Sequence, residues 1–343
     1  MTLTPPAPVA RSALVPRAEC GVLGYLPGHP DLVRVRASSR EVRALESWLE
    51  RGLHQARWEM GSGFASAYPF LTHRFVFRPD NSAQALLGVV YASQDAHGRP
   101  FPFVAFEPLA TPRWDARGMD IVRLNEPLLS EFEGLIQDVA ALPHLGQVHS
   151  RVLQIRQPLL SEAGAAQEAA SRQDTRYQNF LDEVTCGELG PAGTGPAICR
   201  DLIWLLRSDE AVRRDPRSIR TAIELPLHRP PLARELELRF YLELCAALLA
   251  PARPTLTLFW KLGGPAPGSL IICFREPTID IFPAMLRQHG PSRGVLLPGR
   301  EVASGGRAAA LQIPDDMPLA TLLQAVDPQR PRAGAEAASF RNP

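Results

Sequence analysis

The sequence lacks the short motifs that carry nucleotide chemistry in many enzymes. No GxxxxGK(S/T) loop is present, which excludes a P-loop phosphate site. GxGxxG is absent as well, and its nearest fragment, "GSG" at 61–63, is typical of the end of a helix. We therefore expect no nucleotide cofactor.

Patterns for metal binding are also missing. HExxH does not occur, and His144 and His149 have no carboxylate or thiol near them at ligand spacing. A protein metal site needs three or four converging ligands, so we expect no metal ion. The five cysteines are odd in number and scattered, without a CxxC pair. This usage indicates reduced thiols, several of them buried as small apolar residues.

Charge imbalance and long apolar runs are lacking too. The chain has 37 basic and 36 acidic residues, a formal net charge of +1 and no block of one sign. Non-specific nucleic-acid binding and a polybasic membrane anchor are therefore not expected. Apolar runs such as the one at 245–250 are far shorter than the ~20 residues that span a bilayer. The first 20 residues have no apolar core of a signal peptide, so we expect a cytoplasmic protein without membrane insertion.

Proline is abundant, with 34 residues in a chain of 343. Many turns and extended loops follow from this composition. We predict a flexible N-terminal arm at 1–20, an α/β domain at 21–290 with a helical middle at 110–250, and a C-terminal extension at 291–343. The extension is rich in Pro, Gly and Ala and is expected to be partly disordered.

Apolar patterning predicts alternating strands and helices. Runs typical of strands occur at 21–26, 73–77, 86–92, 101–106, 221–227, 255–260 and 269–274. Helical spacing begins near residue 39, where Ser38 and Glu41 form a capping-box pattern, and recurs at 126–141, 176–185, 197–207, 232–250 and 278–288. The helix at 232–250 is expected to be amphipathic. Pro102 is expected to move the start of its strand toward a sheet edge or a bulge.

These elements predict an α/β fold in which helices cover both faces of a mixed sheet. The run at 86–92 is continuously apolar, as in a strand that is buried on both faces. Two short strand–turn–strand pairs add antiparallel pairing.

One serine motif deserves a test as a nucleophile. "GPSRG" at 290–294 formally matches GxSxG, with Ser292 at its centre. A nucleophile elbow has a strand before the serine and a helix after it. Here a helix precedes and a strand-like segment follows, so this context argues against a hydrolase.

Three ordered motifs carry a resemblance to a known family. They are "GVLGYLPGHPDLVRVR", "LESWLERGL" and "LGVVYASQDAHGRPFPFVAF", all within residues 21–106. Together they resemble the TagF (ImpM) family of type VI secretion-associated proteins. "LTLFWKLGGPAPGSLIICFREP" at 256–277 is similar to that family's closing hairpin. The positions that we take as motif or partner-binding residues are Gly24, Tyr25, Pro27, Asp31, Trp48, Asp95, Gly98, Arg99, Pro102 and Trp260.

The sequence departs from the family pattern at several positions. Tyr25 stands where a lysine is usual, and Pro30 replaces the glycine before Asp31. "FWK" at 259–261 stands in place of a double tryptophan with its polar follower. The Gly, Pro and Asp residues that set the shape of the loop remain.

Two roles are open for the motif residues. Gly24 and Pro27 can form a tight strand exit, with Asp31 bracing backbone amides. Arg99 can pair with Asp95 across its turn or with Asp31 from the other loop. All of these contacts can serve loop stability alone, or the exposed loops can form a surface for a partner. The tryptophans are expected to be core or interface anchors.

The resemblance implies a cytoplasmic accessory factor of type VI secretion in Gram-negative bacteria. It implies a post-translational repressor that binds a secretion scaffold with a forkhead-associated domain, without enzymatic activity or cofactor. It also implies a three-layer α/β/α fold. The alternatives are a hydrolase that uses Ser292 and a divergent TagF-like scaffold with a different partner.

Overall fold

A nine-stranded sheet forms the centre of the computed structural model. The structure describes residues 20–110, 125–142, 144–155, 174–191, 193–207, 215–250, 256–261, 267–287, 292–299 and 312–328. The strands are β1 (Gly21–Gly24), β2 (Val33–Val35), β3 (Thr72–Phe77), β4 (Gln84–Tyr91), β5 (Phe103–Ala110), β6 (Ala222–Leu227), β7 (Thr257–Lys261), β8 (Gly268–Cys273) and β9 (Val295–Leu296). Their order in the sheet is β2-β1-β5-β4-β3-β7-β8-β6-β9. Neighbours are antiparallel except β6 and β9, which are parallel, so the predicted mixed sheet is confirmed.

Helices cover the sheet on both sides. They are α1 (Arg40–Met60), α2 (Phe64–Ala67), α3 (Glu126–Ala140), α4 (Leu145–Gln154), α5 (174–183), α6 (Gly195–Arg207), α7 (Pro231–Leu249), α8 (Ile281–Leu286) and α9 (Leu319–Val326). None of the helices in the described ranges is long and apolar enough to cross a bilayer.

Alternation along the strands separates two apolar cores. In β4, Leu87 and Val89 face one side and Leu86 and Val90 face the other. Successive side chains of a strand point to opposite faces, so a continuous apolar run such as β4 contributes to both cores. We call the side covered by α1 and α8 the α1 core, and the side covered by α3, α6, α7 and α9 the α7 core. The predicted α/β/α arrangement with helices on both faces is confirmed.

The start of α1 differs from the sequence-based prediction by one residue. Ser39, not Ser38, is the N-cap, and its Oγ accepts from the backbone N–H of Val42 at 3.3 Å. The predicted capping box was therefore wrong. The carboxylate of Glu41 instead accepts from Ser82 Oγ at 2.6 Å, which places the start of α1 beside the β3–β4 turn. At the other end, Gly61 caps α1 with φ +51°, as the "GSG" fragment predicts.

Two further predictions about elements were wrong. β5 begins at Phe103, after Pro102, and it lies in the interior of the sheet between β1 and β4 rather than at an edge. Pro102 has no N–H to donate to the sheet, and it lies immediately before the strand. The predicted amphipathic helix, α7, buries consecutive residues from Phe240 to Leu242, because it packs against the sheet on one side and against α6 and α9 on another.

Parts of the predicted C-terminal extension lie in this fold. β9 pairs with β6, and Leu319, Leu322 and Leu323 of α9 are buried in the α7 core. The predicted N-terminal arm lies outside the described residues except for Cys20. The division of the chain into arm, domain and extension stays a prediction.

Candidate functional site

Two loops that carry the quoted motifs lie side by side at one end of the sheet. The first, residues 25–32, follows β1; the second, residues 92–102, connects β4 to β5. β5 pairs antiparallel with both β1 and β4. Antiparallel pairing places the carboxyl ends of β1 and β4 beside the amino end of β5, so the loops meet. We call them the paired loops.

Three hydrogen bonds join the paired loops, and each uses a backbone carbonyl of the first loop as acceptor. They run from Ser93 Oγ to Tyr25 O at 2.7 Å, from Ala96 N to His29 O at 2.9 Å and from Arg99 Nη2 to Pro30 O at 2.9 Å. Because backbone atoms are involved on the first loop throughout, this pairing fixes the path of the chain as well as side-chain positions.

Asp95 organises the second loop from within. Its Oδ1 accepts from the backbone N–H groups of His97 at 2.9 Å and Arg99 at 2.8 Å, and its Oδ2 accepts from Arg99 Nε. Burial alone would raise the pKa of the Asp95 carboxyl, but these hydrogen bonds and the positive charge of Arg99 lower it below the usual value. Gly98, with φ +76°, completes the turn. The predicted Asp95–Arg99 pair is confirmed.

Tyr25 and Arg99 form the most distinctive exposed contact of the site. The Arg99 guanidinium lies 5.7 Å from the centre of the Tyr25 ring, and that ring meets Phe101 edge to face at 5.5 Å. The hydrogen bond and charge of Asp95 raise the pKa of Arg99. The Arg99 side chain is 60% exposed, so a fixed and permanently charged cation faces solvent.

Gly24 permits the close approach of β1 to the start of β5. Its φ is +140°, and a Cβ at this position would lie 2.2 Å from the carbonyl oxygen of Pro102 and 2.5 Å from the Cα of Phe103. Both obstacles are backbone atoms, which cannot rotate away. Gly24 and Pro102 therefore have a structural role at the base of the paired loops.

Asp31 does not have the bracing role that the sequence predicts. It is exposed, and no backbone amide among the described residues donates to its carboxylate. Its charge contributes to the raised pKa of Arg99, but Asp95 is the ion-pair partner. Asp31 and the exposed Pro27 thus belong to the surface of the first loop.

Comparison with known protein families identifies the domain that contains the paired loops. Residues 21–155 match the sequence profile of the TagF N-terminal domain, which is described as type VI secretion system-associated. This region is a TagF N-terminal domain. It contains β1 to β5, α1 to α4 and both paired loops.

One solved structure similar to this chain is the crystal structure of PA0076 from Pseudomonas aeruginosa PAO1. It has 17% sequence identity and a TM-score of 0.47, and the match covers 80% of this chain and 96% of that one. No curated protein sequence matches the chain.

The two tryptophans of the predicted site lie in the cores, away from the paired loops. In the TagF N-terminal domain, Trp48 stacks on Phe259 at 5.2 Å, and its Nε1 donates to the carbonyl of Thr278 at 3.1 Å. Trp260 lies in the α7 core, on the opposite face of the sheet, and is fully buried. Neither side chain is accessible to a partner in this fold.

Ser292 is not arranged as a nucleophile. Its Oγ accepts from Arg287 Nη1 at 3.1 Å, and a guanidinium cannot act as a general base. Ser292 lies between α8 and β9, the reverse of the order that an elbow requires. Within the described ranges, no group of His, Cys, Asp or Glu side chains could hold a metal ion.

Tyr68 is a residue of the site that the sequence analysis missed. Its hydroxyl donates to the Ser93 carbonyl at 2.9 Å and accepts from the Ser93 N–H at 3.2 Å. Tyr68 thereby anchors the second loop from the segment before β3. A lone tyrosine far from Ser93 in sequence gives no spacing signal that could have revealed this contact.

Proposed function

We propose that this protein is a non-catalytic, cytoplasmic regulator of type VI secretion that binds a component of the apparatus through the paired loops. The single observation that carries the proposal is their geometry. Motif residues from two distant segments of a TagF N-terminal domain meet in one exposed surface. The proposed partner is a scaffold protein with a forkhead-associated domain, and the proposed effect is repression.

The surface is suited to binding because its backbone is already fixed. Three hydrogen bonds between the loops and the two from Tyr68 hold it. A partner that binds such a surface loses less conformational freedom than one that must order a loop. The exposed residues are Pro27, Gly28, Pro30, Asp31, Gln94, Ala96, His97, Gly98 and Arg99.

The chemistry of the surface favours a polar partner with an acceptor for Arg99. Arginine and tyrosine are enriched among the residues that dominate protein–protein binding energies. Arg99 uses Nε and Nη2 within the site, and its Nη1 has no hydrogen bond among the described residues. A carboxylate or carbonyl of the partner can accept from this group.

The test is co-purification from a lysate of a strain with an active secretion apparatus, with components identified by mass spectrometry. Arg99→Ala and Asp31→Ala should each lower recovery of the bound component. Among the described residues nothing donates a hydrogen bond to the exposed Asp31 side chain, so its loss should leave stability unchanged. Arg43→Ala is a matched control, because Arg43 is exposed on α1 at the opposite end of the sheet.

If the wild type and the three variants all recover the same amount of the bound component, the binding surface lies outside the paired loops. Recovery of no secretion component by the wild-type protein would refute the proposed function. For the direction of regulation, overproduction of the wild-type protein should lower the amount of secreted apparatus protein. Overproduction of Arg99→Ala should not.

A further inference from the structure

A cleft of about 570 Å³ lies at the end of the sheet opposite the paired loops. It is formed where β3 and β8 end and β6 begins, beside the middle of α1. Antiparallel pairing of these strands brings the three ends together. The cleft is lined by three arginines, Arg51, Arg220 and Arg275, and by two carboxylates, Asp80 and Glu276.

The two carboxylates are already engaged within the protein. Asp80 Oδ1 accepts from the Glu276 N–H at 3.0 Å, and Glu276 Oε2 accepts from the Asp80 N–H at 3.0 Å. Asp80 Oδ2 accepts from Arg275 at 3.1 Å. These bonds hold the segment after β3 against the segment after β8, and the ion pair with Arg275 offsets the charge of Asp80.

Arg51 and Arg220, in contrast, have no carboxylate partner among the described residues. Both are exposed and line the cleft from different elements. Arg51 Nε donates to the carbonyl of Ser47 at 3.2 Å, which orients the guanidinium and leaves its terminal nitrogens available. The cleft therefore presents two forked donors that form no ion pair within the described ranges, and its three arginines outnumber its two carboxylates.

Two further arginines add to the positive field at this end of the sheet. Arg78 follows β3, and Arg217 is exposed shortly before β6. Burial lowers the pKa of Arg78, and the positive charge of Arg217 lowers it further. Cations crowded to this degree attract an anion even where each is partly screened by solvent.

We infer that this cleft binds a small soluble ligand through a phosphate or diphosphate group, held by Arg51 and Arg220. Planar guanidinium groups match the geometry of phosphate oxygens and bind them with paired hydrogen bonds. The volume of the cleft lies within the range of small-molecule sites. The site is independent of the paired loops and of the proposed function.

Calorimetric titration of the full-length protein with pyrophosphate tests this inference. The wild-type protein should bind, and Arg51→Gln and Arg220→Gln should each weaken binding by about tenfold, equivalent to about 1.4 kcal/mol. The affinity of Arg220→Lys for pyrophosphate should lie between those of the wild type and Arg220→Gln, because lysine keeps the charge but lacks the planar, forked donors of arginine. Arg43→Gln, on the same helix as Arg51 and outside the cleft, should bind as the wild type does.

Two controls distinguish a built site from a general charge effect or a lipid site. Chloride at equal ionic strength should not displace pyrophosphate as effectively as inorganic phosphate does. Vesicles that contain phosphatidic acid should bind no more strongly than neutral vesicles. The inference is overturned if the wild type does not bind pyrophosphate, if Arg43→Gln weakens binding as much as Arg220→Gln, or if binding occurs only to the acidic vesicles.

Discussion

Replacement of Gly24 by alanine should destabilise the fold more than any other single Gly→Ala change at the paired loops. The residue has φ +140°, and the new Cβ would lie 2.2 Å from the Pro102 carbonyl oxygen. A non-glycine residue in such a region costs about 1–3 kcal/mol. Forced displacement of the β5 backbone adds about 1–3 kcal/mol, as other overpacked sites do. We expect a loss of about 4 kcal/mol in the free energy of unfolding.

Urea unfolding followed by circular dichroism measures this loss, with two matched glycines as controls. Gly98 has φ +76°, but nothing lies within 4 Å of the position that its Cβ would take. Gly98→Ala should therefore lower the free energy of unfolding only through the strain of the positive φ, by about 1–2 kcal/mol. Gly134, inside α3, has neither constraint, and Gly134→Ala should stabilise by about 0.5–1 kcal/mol. If Gly24→Ala costs no more than Gly98→Ala, the close approach of β1 and β5 is not what the structure indicates.

Three other predictions concern the cores. Trp48→Phe removes the hydrogen bond to the Thr278 carbonyl and should lower the urea midpoint by an amount equivalent to about 1–2 kcal/mol; an unchanged midpoint would contradict this. Burial, and then the charge of Lys261, lower the pKa of His73 to about 3. The unfolded chain alone then takes up this proton below pH 6.5, so stability should fall by up to about 1.4 kcal/mol per pH unit as pH decreases toward 3. His73→Leu should remove this part of the loss of stability at low pH. Identical profiles of unfolding free energy against pH for the wild type and His73→Leu would refute the prediction. All five cysteines are free and buried, so the native protein should not react with a thiol reagent at pH 8, whereas the urea-unfolded protein should react fully.

The layered fold could be predicted because its signals are local. The apolar run of β4 is long enough to show burial on both faces, and the helical spacing of α1 and α3 is regular. β2 and β9 could not be predicted, since strands of three and two residues carry too little pattern. Their positions depend on pairing with β1 and β6, which the local sequence does not encode.

Only the local contacts of the candidate site could be predicted from the sequence. The Asp95–Arg99 pair lies within one turn, so its spacing reveals it. The bonds of Ser93 to Tyr68 and Tyr25 join segments far apart in sequence and appear only in the fold. The arginine cleft combines four distant segments, and no motif search could assemble them.

Tyr25 stands where the resemblance to the TagF family implies a lysine. Its ring lies beside Arg99 and against Phe101. A lysine at this position would place a second cation next to Arg99 and remove the ring contact. We therefore expect the paired loops of this protein to differ from those of its relatives in surface charge at this point.

Site-specific photo-crosslinking in secreting cells tests the proposed binding surface most directly. A photoreactive residue at position 97, exposed on the second loop, should form a crosslink to a type VI secretion component that mass spectrometry identifies. The same residue at position 43, exposed at the opposite end of the sheet, should not. A crosslink to such a component from position 43 and none from position 97 would contradict the assignment of the paired loops as the binding surface.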